Sequence, residues 1–121
     1  MNLLTGWKRM QIESETLDGR IQKIALAGRM DVQGTQEIDL KFTSYTAKQL
    51  AVIVDMSGVN FLASIGIRTL LLAAKAVSQR GGKIVLLNPD GNVTKILEMA
   101  GIDTMIPISR SLDEARLAVA G

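Results

Sequence analysis

The chain of 121 residues contains no cysteine and no histidine. Without cysteine it can form no disulfide and offers no thiol nucleophile. Without histidine it cannot assemble a Ser-His-Asp triad, and a zinc site built from His and Cys ligands is excluded as well. No metal, cofactor or catalytic residue is therefore predicted, and we expect a protein that is not an enzyme.

Clustered charge and aromatic residues are also scarce. The 14 basic and 12 acidic residues leave a net charge of +2, and the only adjacent basic pair is Lys8-Arg9. Nucleic-acid binding, which uses basic clusters and stacking aromatics, is not expected from one tryptophan, one tyrosine and two phenylalanines. No signal-peptide pattern or bilayer-length apolar run is visible. We expect a cytoplasmic protein with no membrane insertion, comprising one domain over 1–121, as a monomer or weak homodimer.

The hydrophobic pattern predicts an α/β fold. Segments 10–17 and 20–28 read as two strands joined at Asp18-Gly19, a typical hairpin turn. Segments 51–54 and 84–87 are short apolar runs, typical of strands buried on both faces of a parallel sheet, with 51–54 central. A helix over 64–79 would connect them in a β-α-β unit. Further elements are predicted as a helix capped by Asp31, an edge strand within 105–108, and helices near 93–100 and 112–119.

A serine follows the first apolar strand at an informative place. The strand ends in Asp55, a turn with Ser57 and Gly58 is expected next, and Ser64 stands at the mouth of the helix. From spacing alone, Ser64 is either only a helix cap or an exposed acceptor for a phosphate, which the positive end of a helix favours. Asp55 could suggest a phospho-receiver domain, but the acidic pair and late lysine of such a site are missing. We therefore expect Asp55 to cap the turn at Ser57.

The helix face opposite the core stripe carries a mixture of apolar and polar side chains. Ile65 and Leu72 are too apolar for a wholly solvated face, so either a neighbouring helix covers them or they belong to a docking patch. Arg68, four residues after Ser64, is either a solvated charge or a partner for a phosphate on that serine. The full face comprises Ile65, Arg68, Thr69, Leu72 and Ala76.

The order of these motifs resembles the STAS family, in particular bacterial anti-sigma-factor antagonists, over nearly the whole chain. The stretch 54–61 (VDMSGVNF) is similar to the family's signature before its second helix, and 64–71 (SIGIRTLL) is similar to the helix entry after it. The blocks 27–32 (AGRMDV), 81–86 (GGKIVL) and 98–103 (EMAGID) match other parts of the family pattern. Ala63 and Ile65 differ from the aspartate and the Ser or Thr that members often carry beside the serine.

The resemblance implies a fold, a function and a site. The fold would be a STAS-like mixed central sheet of about four to five strands with about four surrounding helices. The function would be to sequester an anti-sigma factor that is also a serine kinase, with release when that kinase phosphorylates Ser64. The alternative is a STAS accessory or ligand-sensing subunit, for example of a membrane transport system, without phosphorylation. The implied docking surface comprises Asp31, Ala63, Ile65, Arg68, Thr69 and Leu72.

Overall fold

A computed structural model describes residues 9–120. Its strands are β1 (Met10–Leu17), β2 (Ile21–Met30), β3 (Ala51–Leu62), β4 (Lys83–Leu87) and β5 (Ile108–Ser109). Its helices are α1 (Val32–Thr46), α2 (Ser64–Gln79), α3 (Gly91–Met99) and α4 (Leu112–Val119), with a 3-10 turn at Ile102–Thr104. The N-terminal residues on which the expectation of no signal peptide depends lie outside this range, as does half of the Lys8-Arg9 pair.

The strands form one mixed sheet in the order β1-β2-β3-β4-β5. β1 and β2 are an antiparallel hairpin, whereas β2, β3, β4 and β5 are parallel. β3 is therefore the central strand, and its residues 51–54 are all buried. This confirms the predicted parallel core, the α/β fold class and the number of strands and helices.

Helices cover the two faces of the sheet unequally. Helices α1, α2 and α3 share one large core with the sheet, to which they contribute buried side chains such as Phe42, Leu70 and Leu97. On the opposite face α4 packs Ala115 and Val119 against a smaller cluster of side chains from β2, β3 and β4. In each helix the buried side chains recur every three or four residues with exposed ones between them, because each helix buries only one stripe of its surface.

The predicted turn after Asp55 is wrong. β3 continues through this segment to Leu62, and its pairing with β2 runs from Val52 to Leu62 with interruptions at Met56, Ser57 and Asn60. Two register shifts, between Ala25 and Ala27 and between Gly28 and Arg29, accommodate the extra residues of β3. A β-bulge leaves the extra residues of one strand unpaired without ending the strand, so a Ser-Gly segment that otherwise signals a turn can remain within β3.

The ends of the other elements follow local sequence signals. Asp31, Asp90 and Ser111 cap α1, α3 and α4 by accepting hydrogen bonds from main-chain amides of the first turn. The predicted edge strand within 105–108 is shorter and later than expected, because a 3-10 turn occupies Ile102–Thr104 and pairing with β4 begins beside Pro107. Pro107 directly precedes β5 and its carbonyl accepts a hydrogen bond from the amide of Leu86, a position at the start of an edge strand where proline is tolerated.

Candidate functional site

The carboxyl edge of the parallel sheet brings together the starts of two helices. β2 and β3 are neighbours, and Met30 pairs with Leu62 at their last register position. The amide of Ala63 donates a hydrogen bond of 3.0 Å to the carbonyl of Met30. Each strand then turns directly into a helix, so α1 and α2 begin side by side, next to Asp31 and Ser64. The connections are a single residue long, which fixes both helix starts relative to the sheet.

Ser64 is the first residue of α2 rather than its N-cap. The N-cap is Ala63, whose backbone is extended (φ −95°, ψ 170°) and whose methyl group makes no capping hydrogen bond. The interpretation of Ser64 as a cap is therefore wrong. The Ser64 side chain is exposed, and its hydroxyl forms no hydrogen bond with any residue in 9–120. A hydroxyl that is exposed and forms no hydrogen bond within the described residues is accessible to a binding partner.

The first turn of α2 keeps part of its hydrogen-bonding capacity unused. The amides of Gly66 and Ile67 both donate to the carbonyl of Ala63, at 3.0 and 3.1 Å. The amides of Ser64 and Ile65 are the remaining donors of the turn, because a helix start has no preceding carbonyls to pair with them. No acidic residue occupies this turn. The end of the helix is therefore electropositive and open to an anion.

Asp31 forms the second helix start of the site. One carboxylate oxygen accepts a hydrogen bond of 2.8 Å from the amide of Gly34, and the other lies 3.5 Å from Nε of Arg29 and 3.7 Å from Nη1 of Arg9. The hydrogen bond from Gly34, together with the charges of Arg9 and Arg29, lowers the pKa of the Asp31 carboxyl below its usual value. Asp31 is thus an anchored anion at the edge of the site.

Arg29 and Phe61 extend the site beyond the residues that the sequence predicts. The guanidinium carbon of Arg29 lies 4.3 Å from the centre of the Phe61 ring, a cation–π geometry. Phe61 is 36% exposed, so this pair lies at the surface. Arg9 is held nearby, because its Nε donates to Gln33 at 3.0 Å and its amide donates to Glu37 at 2.7 Å. These residues are far apart in sequence: the parallel pairing of β2 and β3 brings Arg29 to Phe61, and the β1–β2 hairpin brings Arg9 to Arg29.

A groove separates α2 from α1. It has a volume of about 270 Å³ and is lined from α2 by four of the predicted docking residues. α1 contributes Thr35, Gln36 and Asp39 to its other wall. A neighbouring helix borders the outward face of α2 without covering it completely, since Leu72 remains 56% exposed, and a docking role for this face stays a prediction. The four α2 residues are Ile65, Arg68, Thr69 and Leu72.

Arg68 lies on this groove with its charge uncompensated. Its side chain is exposed, and none of the ion pairs formed within 9–120 involves it. It stands one helical turn after Ser64, at a separation that places both side chains on one helix face. A doubly charged group on Ser64 would therefore find a cation within reach of the same helix.

The nearest competing serine has a different environment. A turn at Ser57 predicts that its side chain faces inward, because turn serines commonly bond their own backbone, but this prediction is wrong, since the side chain is exposed on β3. Its hydroxyl donates to a carboxylate oxygen of Asp55 at 2.7 Å, and its amide donates to the same oxygen at 3.0 Å. The expected interaction between Asp55 and Ser57 is thus confirmed, although it occurs within a strand. Among residues 9–120 no group of acidic side chains has the arrangement of a metal site.

Comparisons with known proteins agree with this architecture. The sequence model of the STAS domain family matches residues 12–115. BtrV of Bordetella bronchiseptica, a proposed anti-sigma factor antagonist, is 24% identical over 110 residues, which cover 90% of this chain and 94% of BtrV. An anti-sigma factor antagonist from Mycobacterium paratuberculosis has the same fold, with a TM-score of 0.82, 22% identity, and coverage of 91% of this chain and 93% of the other.

The fold also matches the Bacillus protein SpoIIAA, whose structure is known in phosphorylated and unphosphorylated forms. The unphosphorylated form gives a TM-score of 0.73 with 18% identity, covering 88% of this chain and 95% of SpoIIAA. Because the family match spans most of the sequence, the chain belongs to the STAS domain family. None of the helices in the described part of the chain has the length and hydropathy needed to cross a bilayer.

Proposed function

We propose that this protein is an anti-sigma factor antagonist, switched off by phosphorylation of Ser64. The observation that carries the proposal is the state of the Ser64 hydroxyl, which is exposed at the electropositive start of α2 and bound to no other described residue. The relatives described above as anti-sigma factor antagonists support the same function. The partner would be an anti-sigma factor with serine kinase activity, as the family resemblance implies.

The proposed transfer moves the γ-phosphoryl group of ATP to the Ser64 hydroxyl. The bond between the γ-phosphorus and the oxygen that bridges it to the β-phosphate breaks, and that oxygen leaves with ADP. A new bond forms between the γ-phosphorus and Oγ of Ser64. The hydroxyl proton passes to a base of the kinase or to water. This chain supplies the acceptor oxygen and its environment, and the kinase supplies ATP, Mg²⁺ and the catalytic groups.

The environment of Ser64 favours the phosphorylated product. The added group carries about −1.5 to −2 charges near neutral pH. The amides of Ser64 and Ile65 and the exposed cation of Arg68 are positioned to interact favourably with it. We therefore expect the modified chain to stay folded. Phosphorylation would weaken binding of the partner. A partner surface that fits a neutral serine offers no positive group to balance the added charge when docking buries it.

The docking surface would be centred on the groove between α1 and α2. Ile65 and the exposed Leu72 would provide apolar area, and Asp39 on the facing helix and Arg68 would provide charges of both signs. Ala63 and Asp31 border this surface at the two helix starts. A surface of this type would bind with moderate affinity and remain sensitive to a single charge at its edge.

The experiment combines phosphorylation with binding. The chain is incubated with a candidate anti-sigma kinase and Mg-ATP, and the site is mapped by peptide mass spectrometry. One phosphate is expected, on Ser64. Calorimetric titration should then show that Ser64→Glu weakens binding at least about tenfold, which corresponds to about 1.4 kcal/mol, whereas Ser64→Ala binds like the wild type and cannot be switched.

Ser57→Ala is the matched control. Ser57 is also an exposed serine close to Ser64 in the sequence, but its hydroxyl is hydrogen-bonded to Asp55. Its removal should leave both phosphate incorporation and binding unchanged. A phosphate mapped to Ser57, or equal affinities of the wild type and Ser64→Glu for a kinase that binds, would reject the switch. The latter result would favour the alternative of a STAS subunit that works without phosphorylation.

A further inference from the structure

A cavity of about 430 Å³ lies at the amino edge of the parallel sheet, at the opposite end of the strands from Ser64. It is bordered by the turn between β1 and β2, the connection between α1 and β3, the start of β4 and the end of α4. Three cationic side chains, those of Arg20, Lys48 and Lys83, line it. No carboxylate side chain of the described residues does.

The three cations have no internal counterpart. None of Arg20, Lys48 and Lys83 takes part in an ion pair within 9–120, although Asp18 lies two residues from Arg20 and is bound by Arg116 instead. Like charges around one concave surface raise its positive potential, because the low-dielectric wall concentrates their field. An anion entering the cavity would lower this electrostatic repulsion.

Arg80 holds one wall of the cavity in place. Its Nη2 donates to the carbonyls of Thr46 and Gln49, at 2.8 and 3.0 Å, so it binds both sides of the turn that carries Lys48. Lys48 has a left-handed backbone (φ 64°), which is uncommon for a residue with a β-carbon. Because the guanidinium binds the carbonyl of Thr46, the last residue of α1, it partly offsets the negative end of that helix, which would otherwise disfavour an anion.

Part of the cavity lining is apolar. Leu50, Ala51 and Val119 contribute this part; Ala51 and Val119 are buried, whereas Leu50 is 57% exposed although it directly precedes the central strand. The amide of Lys83 donates to the carbonyl of Leu50 at 2.8 Å, which fixes this leucine against the start of β4. The cavity thus joins an apolar patch to a cationic rim, and its volume is typical of small-molecule sites of about 300–1,000 Å³.

We propose that this cavity binds a small amphipathic anion, with its anionic head between Arg20, Lys48 and Lys83 and its short apolar body on Leu50 and Val119. The concave shape favours a small molecule over a flat docking surface. This site would be separate from Ser64, since it lies at the other edge of the sheet. The proposal does not depend on the phosphorylation of Ser64.

The test is a titration of the ¹⁵N-labelled chain with octanoate, followed by two-dimensional NMR. Saturable shifts are expected for the amides of 48–51 and 81–83. Octyltrimethylammonium, with the same apolar body and the opposite charge, should produce none. Lys48→Gln combined with Lys83→Gln should weaken octanoate binding about tenfold or more, because each removes a charge-assisted contact. Lys95→Gln, an exposed lysine of α3 outside the cavity, should not.

Arg20→Gln provides an independent variant on the opposite wall and should also weaken binding. The same spectra report whether each variant is folded. The proposal would be overturned by equal amide shifts with octanoate and octyltrimethylammonium, by octanoate shifts confined to other surfaces, or by the absence of a saturable shift. A glutamate-rich peptide that shifts these amides while octanoate does not would also overturn it, since the cavity would then belong to a docking surface for an acidic protein segment.

Discussion

At the scale of single residues, Asp31 combines a capping role with a compensated charge. Its carboxylate caps α1 through Gly34 and faces both Arg9 and Arg29. These interactions lower its pKa in the folded state. A group with a lowered folded pKa contributes stability above its unfolded pKa, and this contribution is lost as the pH falls through the folded pKa.

We predict that Asp31→Asn is less stable than the wild type at neutral pH and that the difference is smaller at about pH 2, because the contribution of the charge is lost as the pH falls through the folded pKa. Asparagine can still cap the helix, so the difference reports the charge. Urea unfolding at the two pH values measures it. Asp90→Asn is the control, since Asp90 also caps a helix, through Val93, but forms no ion pair within 9–120. The same pH dependence in both variants would contradict the prediction.

Ala63 offers a second test at the residue scale. It occupies the N-cap position of α2 with the extended backbone that a capping side chain needs, but its methyl group accepts no hydrogen bond. We predict that Ala63→Asp raises the free energy of unfolding by about 1 kcal/mol, because the new carboxylate would accept a hydrogen bond from the first turn. Urea denaturation measures this gain, and a loss of stability would show that the N-cap position cannot accommodate the side chain.

Ala63→Asp should also speed phosphate transfer to Ser64 by a cognate kinase, if the carboxylate that family members often carry there assists recognition. Ala63→Ser separates the two effects, because serine caps the helix without adding charge. An initial rate that rises in the aspartate variant alone would attribute the effect to charge. Equal rates in all three proteins would remove Ala63 from the determinants of transfer.

At the scale of elements, the close approach of α1 to β2 depends on Gly34. A β-carbon at this position would come within 1.9 Å of the carbonyl oxygen of Arg29, and main-chain atoms cannot move aside as a flexible side chain can. By helix propensity alone, a glycine in the first turn predicts only that Gly34 weakens the start of α1. The structure gives it a positive role, because it lets the first turn of α1 pack on the end of β2 and places Asp31 beside Arg29.

We predict that Gly34→Ala lowers the free energy of unfolding by about 2 kcal/mol or more, because the clash outweighs the better helix propensity of alanine. Gly91→Ala is the matched control. Gly91 also lies in the first turn of a helix, and a β-carbon there meets nothing within 4 Å. It should leave stability unchanged or raise it slightly. Thermal unfolding of the two variants would decide, and similar melting temperatures would contradict the proposed close approach.

At the scale of the whole molecule, the outer edge of β1 is the longest strand edge that the described sheet leaves unpaired. In an antiparallel pairing that keeps the core faces of both β1 strands on the same side, odd-numbered residues must lie opposite odd-numbered ones, because successive side chains point to opposite faces. The two longest registers for a second copy then place Glu13 opposite Glu13, or Glu13 opposite Glu15. Like charges directly opposite each other destabilise strand pairing.

We therefore predict that the chain does not dimerise through β1 at neutral pH. Sedimentation velocity should give a monomer. Glu13→Gln combined with Glu15→Gln should increase self-association, because it removes the repulsion at this edge. Asp103→Gln combined with Glu98→Gln, which removes two exposed carboxylates from the region of α3, controls for the change in net charge. A dimer that forms equally in the wild type and in the β1 variant would contradict the prediction.

Local sequence determined much of this protein. The buried strands 51–54 and 84–87, the hairpin at Asp18-Gly19 and the start of α1 at Asp31 follow from patterns within a few residues, because periodicity, turn chemistry and capping act over that range. Apolar periodicity predicts the helix that begins near Ser64, and the structure confirms it as α2, whereas the role of Ser64 as a phosphate acceptor stays a prediction.

The tertiary structure determined how neighbouring strands pair and which distant residues this pairing brings together. The segment with Ser57 and Gly58 carries turn signals, yet pairing with β2 keeps it in β3. Arg29, Phe61 and Arg9 meet near Asp31 only because β1, β2 and β3 lie side by side, and the cations at 20, 48 and 83 meet only at the opposite edge of the sheet. Sequence patterns cannot reveal such groups, because their members are brought together by long-range register rather than by spacing along the chain.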